Sequence, residues 1–171
     1  HAFNQIDQRL MSMRPRSGRA AVLDMLKFIE SIEGGGNETL ELGIEELLKT
    51  HRGRGVIVVL SDFLTTGDLQ RSLNALFSRG LEVFGLQILG PSELDPELTG
   101  DLRMVDSETG DTLDVSAIGD LVGLYHEYRD AFQRRLETLC RQRSGRFVST
   151  SAGEPLEGVL FDTLRRKGWV R

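Results

Sequence analysis

Three features of the sequence predict an α/β fold, in which a parallel β-sheet is flanked by helices and carries a β-hairpin insertion. Val56-Ile57-Val58-Val59-Leu60 is a continuous, mostly β-branched run without alternation, the pattern of a strand covered on both faces of a parallel sheet. A second apolar segment, Val83 to Leu89, follows across a helically patterned stretch. Helix, strand, helix, strand in that order calls for a right-handed crossover between parallel neighbours. Last, LRMVDSETGDTLDV sets two short apolar segments on either side of a Gly-containing turn, which predicts a hairpin over about residues 101–115.

Residues 1–16 read as a polar N-terminal segment and residues 17–171 as a single domain, with no internal repeat, low-complexity stretch or dividing linker. Over Ala20 to Glu33, Val22, Leu23, Met25, Leu26, Ile29 and Ile32 recur at spacings of three and four, the stripe of an amphipathic helix. Gly34 to Gly36 end it, since glycine continues a helix only at a cost in backbone entropy. Asn37 or Thr39 then caps a second helix running through Leu40, Leu42, Ile44, Leu47 and Leu48. After the Gly53 and Gly55 turn, Val56 to Leu60 is read as a central strand. Thr66 to Ser78 restores helical spacing with Leu69, Leu73, Leu76 and Phe77, and Gly80 is placed to end it in a left-handed conformation. Ala117 to Arg143 is a long helix closed by Gly145, Arg146 to Ser149 a short third strand, and Leu156 to Leu164 a final helix with Pro155 in its first turn.

Composition excludes several classes. With 39% hydrophobic and 27% charged residues among 171, the chain falls in the range of a soluble globular domain. No apolar run approaches the roughly 18 residues that a membrane-spanning helix needs. The opening HAFNQIDQRL lacks the basic start and apolar middle of a signal peptide, and a start at His1 reads as a cut or fragment boundary. Cys140 is the only cysteine, so no intrachain disulfide can form. It reads as a small apolar packing residue, in a reducing, cytoplasmic compartment. A net charge of −5 argues against a nucleic-acid partner, because phosphate binding rests on counterion release by clustered Lys and Arg. The basic clusters RPRSGR, HRGR and RRKGWVR read as solvated helix ends and loops.

In open parallel sheets, ligands collect at the carboxyl ends of the strands, where loops bring helix N-termini and acidic side chains together. Leu60-Ser61-Asp62-Phe63 puts Asp62 immediately past a strand, where a carboxylate can face a hard cation such as Mg²⁺. The same residue can equally cap the next helix, and spacing alone leaves both readings open. Gly34 to Thr39 offers a second loop, with Asn37, the Thr39 hydroxyl and a helix N-terminus. Ser61 has no G-x-S-x-G elbow around it and no base placed beside it, so no catalytic residue is expected. His126 and Glu127 do not face one another on a helix and read as core edge and solvent face, with His51 and His1 exposed. The acidic turn with Asp106, Glu108, Asp111 and Asp114 lacks EF-hand spacing and reads as a solvated hairpin tip. Trp169 reads as a packing anchor.

The ordered series GRAAVLDMLKFIESIEGGGNETLELGIEELL, GRGVIVVLSDFL, GLEVFGLQILGPSELDPE and MVDSETGDTLDV resembles the bacterial family known as domain of unknown function fifty-eight. The strand-plus-SDF segment and the VDSETGD hairpin are its most specific parts, and the resemblance runs from about Ser17 to the final helix. It implies the C-terminal part of a von Willebrand factor A-like, Rossmann-like domain whose first strands lie upstream of His1. In such domains a metal-ion-dependent adhesion site draws on an Asp-x-Ser-x-Ser motif, a threonine in a later Gly-rich loop and an aspartate after the fourth strand. The resemblance gives Thr39 the threonine role and Asp62 the aspartate role, whereas no Asp-x-Ser-x-Ser triplet occurs in this sequence. Two such donors fall short of the near-octahedral set Mg²⁺ prefers, so waters would complete the shell and affinity would be weak.

The expected function is a non-enzymatic protein–protein interaction module, in which a metal-bridged acidic group of a partner completes the coordination sphere. The resemblance implies a MoxR-type AAA+ ATPase as that partner. The alternatives are a metal-dependent hydrolase, phosphatase or nuclease, using Asp62, and a structural remnant without metal. Without the preceding strands, one edge of the Val56 to Leu60 strand would be bare. The isolated chain is then expected to oligomerise, misfold or bind the absent half.

Overall fold

A computed structural model describes residues 2–4, 9–32, 39–65, 67–96, 102–105, 110–115 and 121–169. They group into two units, His1–Arg52 with Thr65–Leu69, and Gly53–Leu64 with Gln70–Arg171.

In the first unit, β1 (Ala2–Asn4) pairs antiparallel with β2 (Arg9–Met11). This hairpin lies in the segment whose composition marks it only as polar, because strands this short carry no legible alternation. The first helix, α1 (Ala20–Glu30), ends before Glu33, and the Ser31 hydroxyl donates to the Phe28 carbonyl at 2.7 Å just beyond its end. None of its residues is buried. Its successor α2 (Leu40–Thr50) buries Gly43, Ile44 and Leu47. Thr39 takes the N-cap position in an extended conformation, and its carbonyl accepts the Leu42 N–H at 3.1 Å. The Thr39 hydroxyl makes no capping bond, and Asn37, the other expected cap, lies outside the described residues. His51, expected to be exposed, is half-buried after the end of α2, while His1 lies outside the described residues.

The second unit contains β3 (Gly55–Ser61), α3 (Leu69–Ser78, from Gln70 on), β4 (Leu81–Leu89), α4 (Pro91–Leu94), β5 (Leu102–Val105), β6 (Thr112–Val115), α5 (Leu121–Arg141) and β7 (Arg146–Ser151). It closes with α6 (Gly158–Leu164). β3, β4 and β7 form a parallel sheet in that order, with Ser61, Gln87 and Ser149 in register across it. The fold class is therefore α/β, a three-stranded parallel sheet flanked by helices with an antiparallel β5–β6 hairpin. Gly80 closes α3 at φ 78°, its N–H bonded to the Phe77 carbonyl at 2.9 Å, the left-handed ending expected of it.

One expectation is corrected at β3. It pairs with β4 alone among the described residues, and Val56, Val58 and Leu60 are more than half exposed while Val59 is buried. An unbroken apolar run specifies a strand, but whether one face or both are covered depends on what packs there. On the hairpin, Arg103 faces Asp114 in register and binds its carboxylate at 2.8 Å. The tip residues Asp106 and Glu108 lie outside the described residues.

The long helix α5 lies against β4 and β7 and buries Leu136 and Cys140 there, one turn apart. Its expected start at Ala117 lies outside the described residues. The Tyr125 hydroxyl donates to the Glu93 carbonyl and the Arg129 guanidinium to the Leu94 carbonyl, satisfying acceptors that a helix end leaves open. Burial pushes the Cys140 thiol up to about 11, as fits a packing residue. Where an α-helix is expected at the end, α6 instead has π-helical geometry. The wider turn has a physical reason: Val159 and Leu164, five apart, both bury in one cluster with Val148, and hydrogen bonds to the fifth residue bring such positions towards one side. Trp169 packs on that cluster, its ring 5.1 Å from that of Phe84. Among the described residues no helix is long and apolar enough to cross a membrane.

Candidate functional site

The β3 strand ends where its apolar run meets Ser61-Asp62-Phe63, and these three residues fold into a tight turn. The Phe63 N–H donates to Ser61 Oγ at 3.0 Å, and the Leu64 N–H donates to Asp62 Oδ1 at 2.9 Å. Both are local side-chain-to-backbone bonds of the kind that hold Ser and Asp turns. Ser61 Oγ also lies 3.4 Å from Asp62 Oδ1 and donates to it. Asp62 thus spends one carboxylate oxygen on its own turn and remains exposed.

Phe63 fixes the direction of the turn. Its φ is 60°, a left-handed conformation that a bulky residue adopts only when its surroundings require it. The surroundings are the Phe63 ring itself, 2% exposed and set edge-on to Phe147 with centroids 5.8 Å apart. Gly85, on the strand between them, makes the room: a Cβ there would meet Phe147 Cδ2 at 3.0 Å and Phe63 Cζ at 3.2 Å.

A buried amide network braces the same turn. Gln87 is 1% exposed, and its Nε2 donates to the Asp62 carbonyl at 2.7 Å. Gln133 Nε2 in turn donates to Gln87 Oε1 at 3.1 Å and to Ser149 Oγ at 3.0 Å. A glutamine as deep as Gln87 is tolerated because its donor and its acceptor are both satisfied, while Gln133 and Ser149 are half-buried. Gln87 and Gln133 escaped the sequence reading; the available signal was a glutamine inside the apolar strand LEVFGLQIL.

Thr39 belongs to the first unit and Asp62 to the second. Within the first unit, Thr65 Oγ1 donates to Glu41 Oε2 at 3.3 Å, and the Glu41 carboxylate lies so close over Gly67 that a Cβ there would meet it at 2.2 Å. No motif in the sequence marks Glu41 or Thr65. Among the described residues, no three His, Cys, Asp or Glu side chains converge in a metal-holding group. Asp62 and Thr39 alone do not make the donor set that Mg²⁺ prefers. His126 is 3.5 Å from Asp95 through Nε2, on the α5 surface away from this turn in sequence, and Glu127 beside it is exposed.

A family model described as protein of unknown function DUF58 matches residues 2–137. An uncharacterized protein of Mycobacterium avium is 34% identical over 100 residues, which cover 57% of this chain and 59% of that protein. An uncharacterized protein of Mycobacterium tuberculosis is 32% identical over 98 residues, covering 56% of this chain and 31% of that protein. The chain therefore spans less than two thirds of the curated relatives it matches. Among solved structures, the conserved hypothetical protein BatB from Bacteroides thetaiotaomicron aligns over 86% of this chain and 70% of its own, with a TM-score of 0.43 and 12% identity.

Proposed function

Because the chain belongs to the DUF58 family of proteins of unknown function, we propose that it works as a non-enzymatic protein–protein interaction module whose recognition residue is Asp62. The observation that supports this reading is a carboxylate both exposed and held: it projects past the carboxyl end of β3 while Leu64, Phe63 and Gln87 fix the backbone beneath it. Strand ends of this kind are where open parallel sheets bind ligands.

The oxygen donors are too few for a tight metal centre, so the reading does not depend on a resident ion. Mg²⁺ held weakly by Asp62 would leave most positions to water and to an acidic group of the partner. The partner the resemblance favours is a MoxR-type AAA+ ATPase.

Calorimetric titration of the purified chain with such an ATPase, with Mg²⁺ and again with excess EDTA, tests the reading. Asp62→Ala is expected to weaken binding at least about tenfold, an effect of the size of one charge-assisted contact, with no phosphatase or nuclease turnover to lose. Turnover that disappears in Asp62→Ala would favour the hydrolase. Binding that Asp62→Ala leaves untouched would remove Asp62 from the interface altogether.

A further inference from the structure

A cavity of about 350 Å³ follows the outer edge of β7, and we propose that it takes an extended segment of a partner protein as an added strand, one that carries an acidic and a basic side chain in succession. The cavity is lined by Ser149, which bonds to Gln133 on α5, and by Val148, which packs with Val159 and Leu164 on α6. Successive residues of a strand point to opposite faces, and a space that both faces line runs along the edge. Each of these elements belongs to the second unit. The Ala152 N–H donates to the Leu89 carbonyl. Backbone groups alternate sides along a strand, so Val148 and Thr150 bond towards β4, while Phe147 and Ser149 aim their N–H and C=O groups into the cavity. Phe147, also in the lining, is 7% exposed, and backbone donors and acceptors at that depth call for a partner. Water can serve them in the free chain, and an extended segment offers them a ladder.

The walls restrict the occupant. α5 and α6 cover β7 from its two faces, an arrangement that keeps one sheet from pairing with another edge to edge, and the space between them suits a single chain added through its backbone. Side chains of that chain point alternately to the two walls. On the α6 side the charge is Lys167, one turn beyond Thr163. On the α5 side Asp130 is bonded to Arg129, Arg134 is exposed and Glu137 is half-buried. Among the described residues neither Lys167 nor Glu137 has an ion-pair partner, and of the two α5 charges the deeper one is less screened. The guest therefore sets an acidic residue against Lys167 and a basic neighbour against Glu137.

Nuclear magnetic resonance on the intact chain tests this, with an eight-residue capped peptide of alternating threonine and valine around a central Glu-Lys pair as the probe. Binding is expected in the high-micromolar range, with amide exchange slowed at Phe147 and Ser149. Lys167→Glu and Glu137→Lys, each verified as folded by circular dichroism, should weaken that peptide about tenfold, and a Lys-Lys centre should restore binding to Lys167→Glu. Methylating every second peptide nitrogen should abolish binding in one of the two phases and spare it in the other, because only alternate N–H groups of an added strand face β7. A peptide that fails to bind overturns the proposal, as does one that both methylated forms match or that neither charge variant weakens. So does slowed exchange confined to β3, which would assign the peptide to another edge of the sheet.

Discussion

α1 and α3 carry the same kind of apolar stripe and end in opposite surroundings. On α3, Leu73 and Leu76 are 1% and 0% exposed, whereas on α1 Leu23 and Ile29 are 65% and 53% exposed. Spacing at three and four defines a helix and its apolar face, yet it is silent about what covers that face. β3 repeats the lesson within a single strand: Val59 is buried and its neighbours Val58 and Leu60 are not. Burial belongs to the partner as much as to the pattern.

Four measurements break or sharpen that contrast. The largest effect is expected on the packed side, where Leu76→Ala should cost about 2–5 kcal/mol through the cavity it leaves, read as a lowered urea midpoint. Gln87→Met, which removes the donor to the Asp62 carbonyl and the acceptor for Gln133, should cost about 1–3 kcal/mol by stranding buried polar groups. Cys140 offers a smaller effect with a defined pH window. Its folded pKa is raised from 9.0 to about 11, so between those values the unfolded chain has shed a proton that the folded chain keeps. Stability is then fully present below pH 9 and falls as pH rises towards about 11, and Cys140→Ala should flatten that part of a pH series of melting temperatures. The smallest effect is expected from Leu26→Ala on α1, within about 0.5 kcal/mol as for other surface changes. A loss as large as that of Leu76→Ala would mean that the α1 stripe is packed, and the contrast would fail.

Local chemistry was legible in the sequence and distant contacts were not. The glycine at position 80 announced the end of α3, and the apolar runs announced β3 and β4 to within a residue or two, because backbone entropy and side-chain branching act on neighbours along the chain. Asp62 could be found as a strand-end carboxylate for the same reason. The left-handed turn at Phe63 could not, since it depends on Gly85 and Phe147 meeting it from other strands. The Gln87–Gln133–Ser149 network joins residues 16 and 46 positions apart, a separation at which no short motif operates. The π-helical geometry of α6 likewise answers to Val148 on another element rather than to its own pattern.

The turn after β3 has a consequence for rates and affinities alike. A left-handed Phe63 clamped by its own ring cannot relax without emptying the space over Gly85, so the carboxylate beside it is preorganised. A visitor to Asp62 would meet a loop with little disorder left to surrender, and rigid docking of that kind keeps the entropic penalty of association low.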